Sequence, residues 1–389
     1  MEETKFAKQE TSTEVIEKSQ RSMRSEISKA LLLIALFEAI ITVGWLAYEE
    51  YQPVILQKYG FATLASVLII AQGVLGALLH PISGTIADRL MRKNASKFGI
   101  ILAGGTFAAL VFLTVAIILL NQPGTGITKA LPFMVILWLA AMSLFHSPAV
   151  SLIDHFVPAE RFPQAAAKLT IAFGLIYALE PLVVPILDAI GLTATFVLGG
   201  VLVMVGVLAI RSIASFPLKT KSEQESAVVS SGTLFYLFAV GVLVGTGQAL
   251  LFYYVPNKVD IAAIQAAIPF INSGEVYLSL LLLFAALASL PIAQVVKRYG
   301  EQKTYIVAFL LSILWALVAG NPLPVWMYML LAIAGGATYA ALHIALLTRA
   351  LHKAPGGNSG RGIGFAFGGV ALASAAILLV AYLNGLYWN

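Results

Sequence analysis

The chain has 389 residues, of which 59% are apolar and only 11% charged, and its mean hydropathy is +0.89. A water-soluble domain holds roughly 45–50% apolar and 25% charged residues, so soluble enzymes, nucleic-acid binders and disordered chains are excluded. The formal charge of +5 needs no nucleic-acid partner, because the positions of the basic residues account for it, and the lack of cysteine removes disulfides and thiolate metal sites.

Residues 1–29 hold six acidic and six basic side chains and read as a solvated, disordered cytoplasmic tail. Eleven stretches then reach the ~20 apolar residues that a membrane-crossing helix needs. Spans 1 to 6 are predicted over Ala30–Gln57, Ala62–Ile86, Phe98–Leu120, Leu131–Phe156, Ala165–Leu187 and Thr193–Ile213. A polar stretch, Ser215–Gly232, interrupts the pattern. Spans 7 to 11 follow over Leu234–Val255, Val276–Val296, Tyr305–Gly320, Val325–Leu347 and Ile363–Leu386. With the N-terminus inside, every Lys and Arg except Lys58, Lys129 and Lys258 falls on the cytoplasmic side, as the positive-inside rule requires.

The two sets echo each other. Gly44, Tyr51 and Pro53 match Gly247, Tyr254 and Pro256 at a constant offset; Pro81-Ile82 matches Pro291-Ile292, and Phe145 with Leu152 matches Tyr339 with Leu346. A duplicated six-helix unit is the architecture of carriers that rock one half against the other around a central site. The predicted fold is therefore all-α, a pseudo-symmetric multipass bundle of 6+5 helices, or 6+6 if a twelfth follows. It divides into a tail (1–29), an N-terminal bundle (30–214), a cytoplasmic linker (215–232) and a C-terminal bundle (233–389) whose sixth helix is missing from the pattern.

Gly84-Thr85-Ile86-Ala87-Asp88-Arg89-Leu90-Met91-Arg92-Lys93 is read as the loop between spans 2 and 3. It resembles the signature loop of the major facilitator superfamily, Gly-x-x-x-Asp-Arg-x-x-Arg-Arg/Lys. The resemblance implies that Asp88 abuts the start of span 11, at Ser359-Gly360-Arg361-Gly362, and that Arg92 pairs with Asp154 at the end of span 4. A carboxylate is stabilised by the free N–H groups of a helix N-terminus. Gly84, Asp88, Arg89, Arg92, Lys93 and Asp154 would thus form a conformational latch. The corresponding stretch after span 8, Gln294–Tyr299, has no acidic residue, so the latch is expected to be one-sided. The family also implies that spans 3, 6 and 9 are peripheral and that the others line a cavity.

Ionisable groups within spans are costly and therefore functional candidates. Glu38 and Glu49 lie within ~20° on one stripe of span 1 with Thr42 and Trp45 between them, and this stripe is expected to face the cavity. Glu180 before Pro181 on span 5, beside Phe173 and Tyr177, resembles a carboxylate in an apolar wall; its structural alternative is a neutral residue cross-bonding helices. Glu38, Glu49, Glu180 and His146 are the proton-coupling candidates. Asp188 and Glu275 read as surface groups at outer helix ends, Glu50 fits either the cavity stripe or the outer headgroup level, and His80, His155 and His352 read as residues of the cytoplasmic edge. No clustered spacing suggests a metal site, and no cofactor or catalytic constellation recurs, so the chain is not expected to be an enzyme.

Anion carriers need fixed positive charge at mid-membrane, and this chain offers surplus carboxylates instead. Trp45, Tyr48, Gln72, Tyr177, Gln248, Tyr253 and His343 supply hydrogen-bonding groups and aromatic platforms for a small neutral solute, although the aromatics also fit an interfacial belt. Short stretches, Tyr48-x-x-Tyr51-x-Pro53 and Pro148-x-x-Ser151-Leu152, are similar to the sucrose–proton symporter branch. The expected function is proton-coupled movement of a neutral solute such as a sugar by alternating access. The alternatives are proton-driven export of drugs or lipophilic cations, and a non-transporting sensor or scaffold. The expected partners are the solute, protons and the lipid bilayer of the plasma membrane, with the chain acting as a monomer.

Overall fold

The computed structural model describes residues 2–94, 96–121, 125–215 and 229–383, of which residues 2–24 are described by backbone alone. Most of the predicted linker, 216–228, and the chain end from 384 lie outside the described residues. The rest is a helical bundle, with no strand among the described residues. Among the described residues ten helices are long and apolar enough to cross a membrane, and one bent pair makes an eleventh span.

Span 1 is the helix Glu2–Lys58. It begins far upstream of the predicted start, so residues 2–29 continue the span as helix and are not the disordered tail expected. The physical reason is local. No Gly or Pro occurs before Gly44, and Glu14–Lys18 and Glu17–Arg21 are spaced to support a solvated helix. Span 2, Ala62–Asn94, likewise runs past its predicted end. The signature stretch Gly84–Lys93 is thus the last turns of a helix and not a loop.

Span 3 is Phe98–Asn121, and span 4 is Leu131–Val150 extended by the short helix Ile153–Phe156. Span 5 is broken, with Phe162–Ala178 and Glu180–Ile190 meeting at 58°. Pro181 cannot donate to the Tyr177 carbonyl one turn back, which opens the helix at Leu179. Span 6 is Leu192–Arg211. Span 7 is Ser231–Ala249 followed by a π-helical turn, Leu250–Tyr254. A short helix, Ile261–Ala267, leads to span 8, Gly274–Tyr299. Spans 9, 10 and 11 are Glu301–Ala319, Val325–Lys353 and Ser359–Leu383.

Two helix pairs make the most extensive contacts between spans 1–6 and spans 7–11. Span 2 packs along span 11, and span 5 along span 8; the two pairs are related by a shift of six spans. Small residues let the backbones meet. A Cβ on Gly73 or Gly76 would strike Ala375 or Ala371 of span 11, and one on Gly174 would strike the Leu282 carbonyl of span 8. Spans 3, 6 and 9 stand outside, and large apolar side chains such as Leu110, Leu120, Val205, Leu310 and Leu317 are exposed on them, as a lipid-facing surface requires.

Candidate functional site

Between the halves lies a cavity of about 250 Å³. Spans 1, 2, 4, 5, 7, 10 and 11 line it, whereas spans 3, 6 and 9 contribute nothing; span 8 contributes nothing either, because it is spent on packing against span 5. Span 1 presents Glu38, Thr42, Trp45 and Glu49 to it, one face of the helix at three- and four-residue steps. Glu49 is exposed although it lies inside the bundle, because its surface is the cavity's.

Three hydrogen-bonded centres stand around this space. Nε2 of His146, on span 4, lies 3.2 Å from both Glu38 carboxylate oxygens. The Tyr177 hydroxyl of span 5 donates to Glu49 at 3.0 Å. The Thr170 hydroxyl is 3.1 Å from His343 Nδ1, which links span 5 to span 10. Aromatic rings fill the walls between these centres. Phe367 of span 11 packs 5.0 Å from the His146 ring, Phe173 stacks on Tyr339 at 5.8 Å, and Tyr177 meets Phe252 edge-on at 5.2 Å. Gln72 and Gln248 add neutral amides, and no Lys or Arg is among the lining residues.

Glu38, Glu49, His146, Trp45, Gln72, Tyr177, Gln248, Tyr253 and His343 thus converge on one cavity. Two of the expected residues do not. Tyr48 is ~80° round the helix from Glu38; it is buried against Trp138, stacked at 4.4 Å and 9°, and belongs to the packing of spans 1 and 4. Glu180 sits at the break in span 5, which turns it off the cavity line. It is half-buried near Glu49, Glu50 and Glu275 at the acidic end of the bundle, where Asp188 also accepts from the Tyr51 hydroxyl at 2.8 Å.

His80 is the reverse case. Placed by sequence at the cytoplasmic edge, it lines the cavity, with Nδ1 2.9 Å from the Ser147 hydroxyl and its ring 5.9 Å from that of His146. Span 2 continues as helix to Asn94, which leaves His80 about 20 Å from the basic end. The π-helical turn was also illegible. The Val255 N–H reaches back to the Leu250 carbonyl, and the widened turn presents Phe252 and Tyr253 to the cavity.

At the basic end the halves touch directly. Asp88, fully buried, accepts the N–H groups of Gly360 at 2.9 Å and Arg361 at 2.7 Å, at the start of span 11. Gly84 is required there, since its Cβ would lie 2.0 Å from the Gly360 carbonyl oxygen. Arg92 donates to the Gly357 carbonyl and to Asn358, Asp154 is buried at the end of span 4, and Arg89 and Lys93 are exposed.

A residue the sequence offered only as one more inside charge completes the cluster. Lys97 is fully buried, 3.2 Å from Asp88, and donates to Ser151 and Ser359 at 2.9 and 2.8 Å. It therefore ties spans 2, 4 and 11 together. A further contact joins the halves at this end: His352 of span 10 reaches the Ala159 carbonyl before span 5.

Helical spans in two sets, closed together at one end around a cavity with carboxylates, histidines and aromatic rings in its walls, define a membrane carrier. The chain belongs to the major facilitator superfamily: residues 115–378 match the description "Major Facilitator Superfamily". Residues 1–178 match "Sugar (and other) transporter". Members of the superfamily move solutes and are not enzymes.

Among solved structures the chain is similar to the human organic anion transporter MFSD10 (TETRAN), with a TM-score of 0.65, 16% identity, and 91% of this chain and 93% of that one covered. It is also similar to a bacterial homologue of the iron transporter ferroportin in an outward-facing state, with a TM-score of 0.59, 15% identity, and 91% and 92% covered. At such identities the likeness is one of fold. No curated protein matches the chain.

Proposed function

We propose that the chain is a secondary active transporter that moves a small neutral solute, of the size and polarity of a simple sugar, together with protons by alternating access. The observation that carries this reading is the cavity lining: two carboxylates, three histidines and neutral amides, with no Lys or Arg. Glu38 and His146 are the primary proton-bearing pair, with Glu49 a second carboxylate. Trp45, Gln72, Tyr177, Gln248, Tyr253 and His343 hold the solute by stacking and hydrogen bonds. The cavity falls just below the ≈ 300 Å³ at which drug-sized pockets begin, which supports a small cargo.

In this reading Gly84, Asp88, Arg92, Lys97 and Asp154 keep the basic end closed while the cavity serves the other side. The gathering of Lys and Arg at that basic end supports a cytoplasmic placement for it and for the N-terminus, in a carrier acting at the plasma membrane. A cavity complete within one chain supports a working monomer.

Organic anions, the cargo named for one structural neighbour, call for a cationic side chain that this lining lacks. Iron, the cargo named for another, calls for a ligand cluster, and among the described residues no three His, Asp or Glu side chains are grouped to hold a metal.

A second reading is export of lipophilic cations, favoured by the exposure of Glu49 beside the rings of Tyr177 and Phe252. The deciding experiment is transport in proteoliposomes under an imposed pH gradient, with a panel of sugars, organic cations and organic acids. Sugar-driven proton movement in the direction of the sugar establishes symport. Cation-driven proton movement in the opposite direction establishes export, and uptake of acids alone defeats both readings.

A further inference from the structure

His352 joins the two halves through both of its ring nitrogens. It sits in the last turn of span 10, with its side chain 35% exposed. Nδ1 is hydrogen-bonded to the Glu301 carboxylate at the start of span 9, and Nε2 lies 3.1 Å from the Ala159 carbonyl oxygen. Phe162 packs its ring 5.2 Å from the imidazole on the same side. Ala159 and Phe162 belong to the N-terminal set, so this contact crosses the interface.

Both atoms that His352 faces are acceptors. A neutral imidazole has one N–H and one lone pair, so it satisfies only one of them, whereas the imidazolium donates to both. If Glu301 held the proton and donated to Nδ1, the Nε2–H would still serve Ala159. Either arrangement needs one proton more than a neutral imidazole beside a carboxylate. Once that proton leaves, a lone pair faces the carbonyl or the carboxylate, and the bond across the interface is the cheaper one to lose.

We propose that His352 is a proton-dependent tie between the halves: protonated, it closes the basic end between spans 10 and 5; deprotonated, it releases Ala159 and that end opens more readily. The groups around it fit this role. Glu301 also faces Arg349 at 3.7 Å, and Arg349 is held by the hydroxyl of Tyr236, itself bonded to that of Tyr305. On the opposite side, Glu160 and Arg161 flank Ala159 and are exposed, as is Lys353 beside His352. The Ala159 carbonyl also accepts the Phe162 N–H within its own segment, and among the described residues the imidazole of His352 supplies its bond across the interface.

For a carrier that brings protons inward, such a tie would slow delivery into an interior already acidified. That consequence rests on the orientation and coupling proposed above; the tie itself does not, and its test needs no solute.

The chain contains no cysteine, so a spin-label pair at Arg211→Cys and Tyr299→Cys, exposed positions at the basic ends of spans 6 and 8, reports separation of the halves. In the full chain, raising the pH from about 6 to about 8.5, across the imidazole range, should lower the ratio of short to long distances roughly tenfold, the worth of one charge-assisted hydrogen bond. His352→Leu, which has no donor, should show the long distance at both pH values. His352→Arg, a permanent donor, should keep the short distance at both, which also shows that substitution here leaves the fold intact. A distance distribution insensitive to pH in the unsubstituted background, or a His352→Leu chain that keeps the full response, overturns the tie.

Discussion

Nε2 of His146 is equidistant from the two carboxylate oxygens of Glu38, 3.2 Å from each, on the wall of the central cavity. One proton shared by this pair decides whether the cavity presents an ion pair or a neutral couple to a passing solute. Glu38→Gln keeps the shape and removes that choice. Solute-driven proton flux in proteoliposomes should fall by roughly tenfold or more, as loss of a charged hydrogen bond implies, while solute exchange without a pH gradient continues. Unchanged proton flux would remove Glu38 from the coupling scheme.

Lys97 should be a strong determinant of stability. Its substitution by Met leaves Asp88 buried with its two backbone donors and no countercharge, and breaking a buried pair from one side costs about 3 kcal/mol or more. Lys97→Met should lower the melting temperature in detergent markedly, and the Asp88→Asn, Lys97→Met double substitution should restore part of the loss. Equal and additive losses would mean that the two groups are not coupled.

Gly84→Val places a side chain where the Gly360 carbonyl now sits. The basic end should then fail to close. A cysteine at Ser143, which lines the cavity, should become reactive to a membrane-impermeant maleimide applied from the basic side, several-fold faster than in the Gly84 background. Equal labelling rates would show that closure does not depend on this approach of spans 2 and 11.

Tyr177 and Tyr48 make a contrasting pair. Tyr177→Phe deprives Glu49 of its 3.0 Å donor in the cavity and should weaken solute binding roughly five- to tenfold, about 1 kcal/mol, with little change in melting temperature. Tyr48→Ala, away from the cavity, should do the opposite: a loss of ~3 kcal/mol in stability, as for other buried aromatics, and an unchanged KM. A raised KM in Tyr48→Ala would return that residue to the binding site.

The stripe of Glu38, Thr42, Trp45 and Glu49 was legible because helical periodicity is local: once span 1 is a helix, those four side chains must share a face. The same rule separates Tyr48 from them, since one residue's step round the helix carries it onto Trp138. Glu180 shows where local reasoning stops. Its neighbours Phe173 and Tyr177 do meet the cavity, but the missing Pro181 donor bends the span between them. His80 lies deeper than its place in the sequence suggests because the helix beneath it runs about two turns beyond the predicted end at Ile86.

What the amino-acid order determined by itself was the solvent and the class: a lipid-embedded helical carrier, with its basic residues gathered at one end and a signature stretch beside span 3. These follow from transfer free energies and helix geometry, which are properties of segments. Which carboxylate meets which histidine, that Lys97 is buried beneath Ser151 and Ser359 of spans 4 and 11, and that His352 reaches across to Ala159 were decided only when segments distant in sequence packed together. Those pairings depend on the angles at which the spans cross, and crossing angles are set by side-chain packing that no single segment contains.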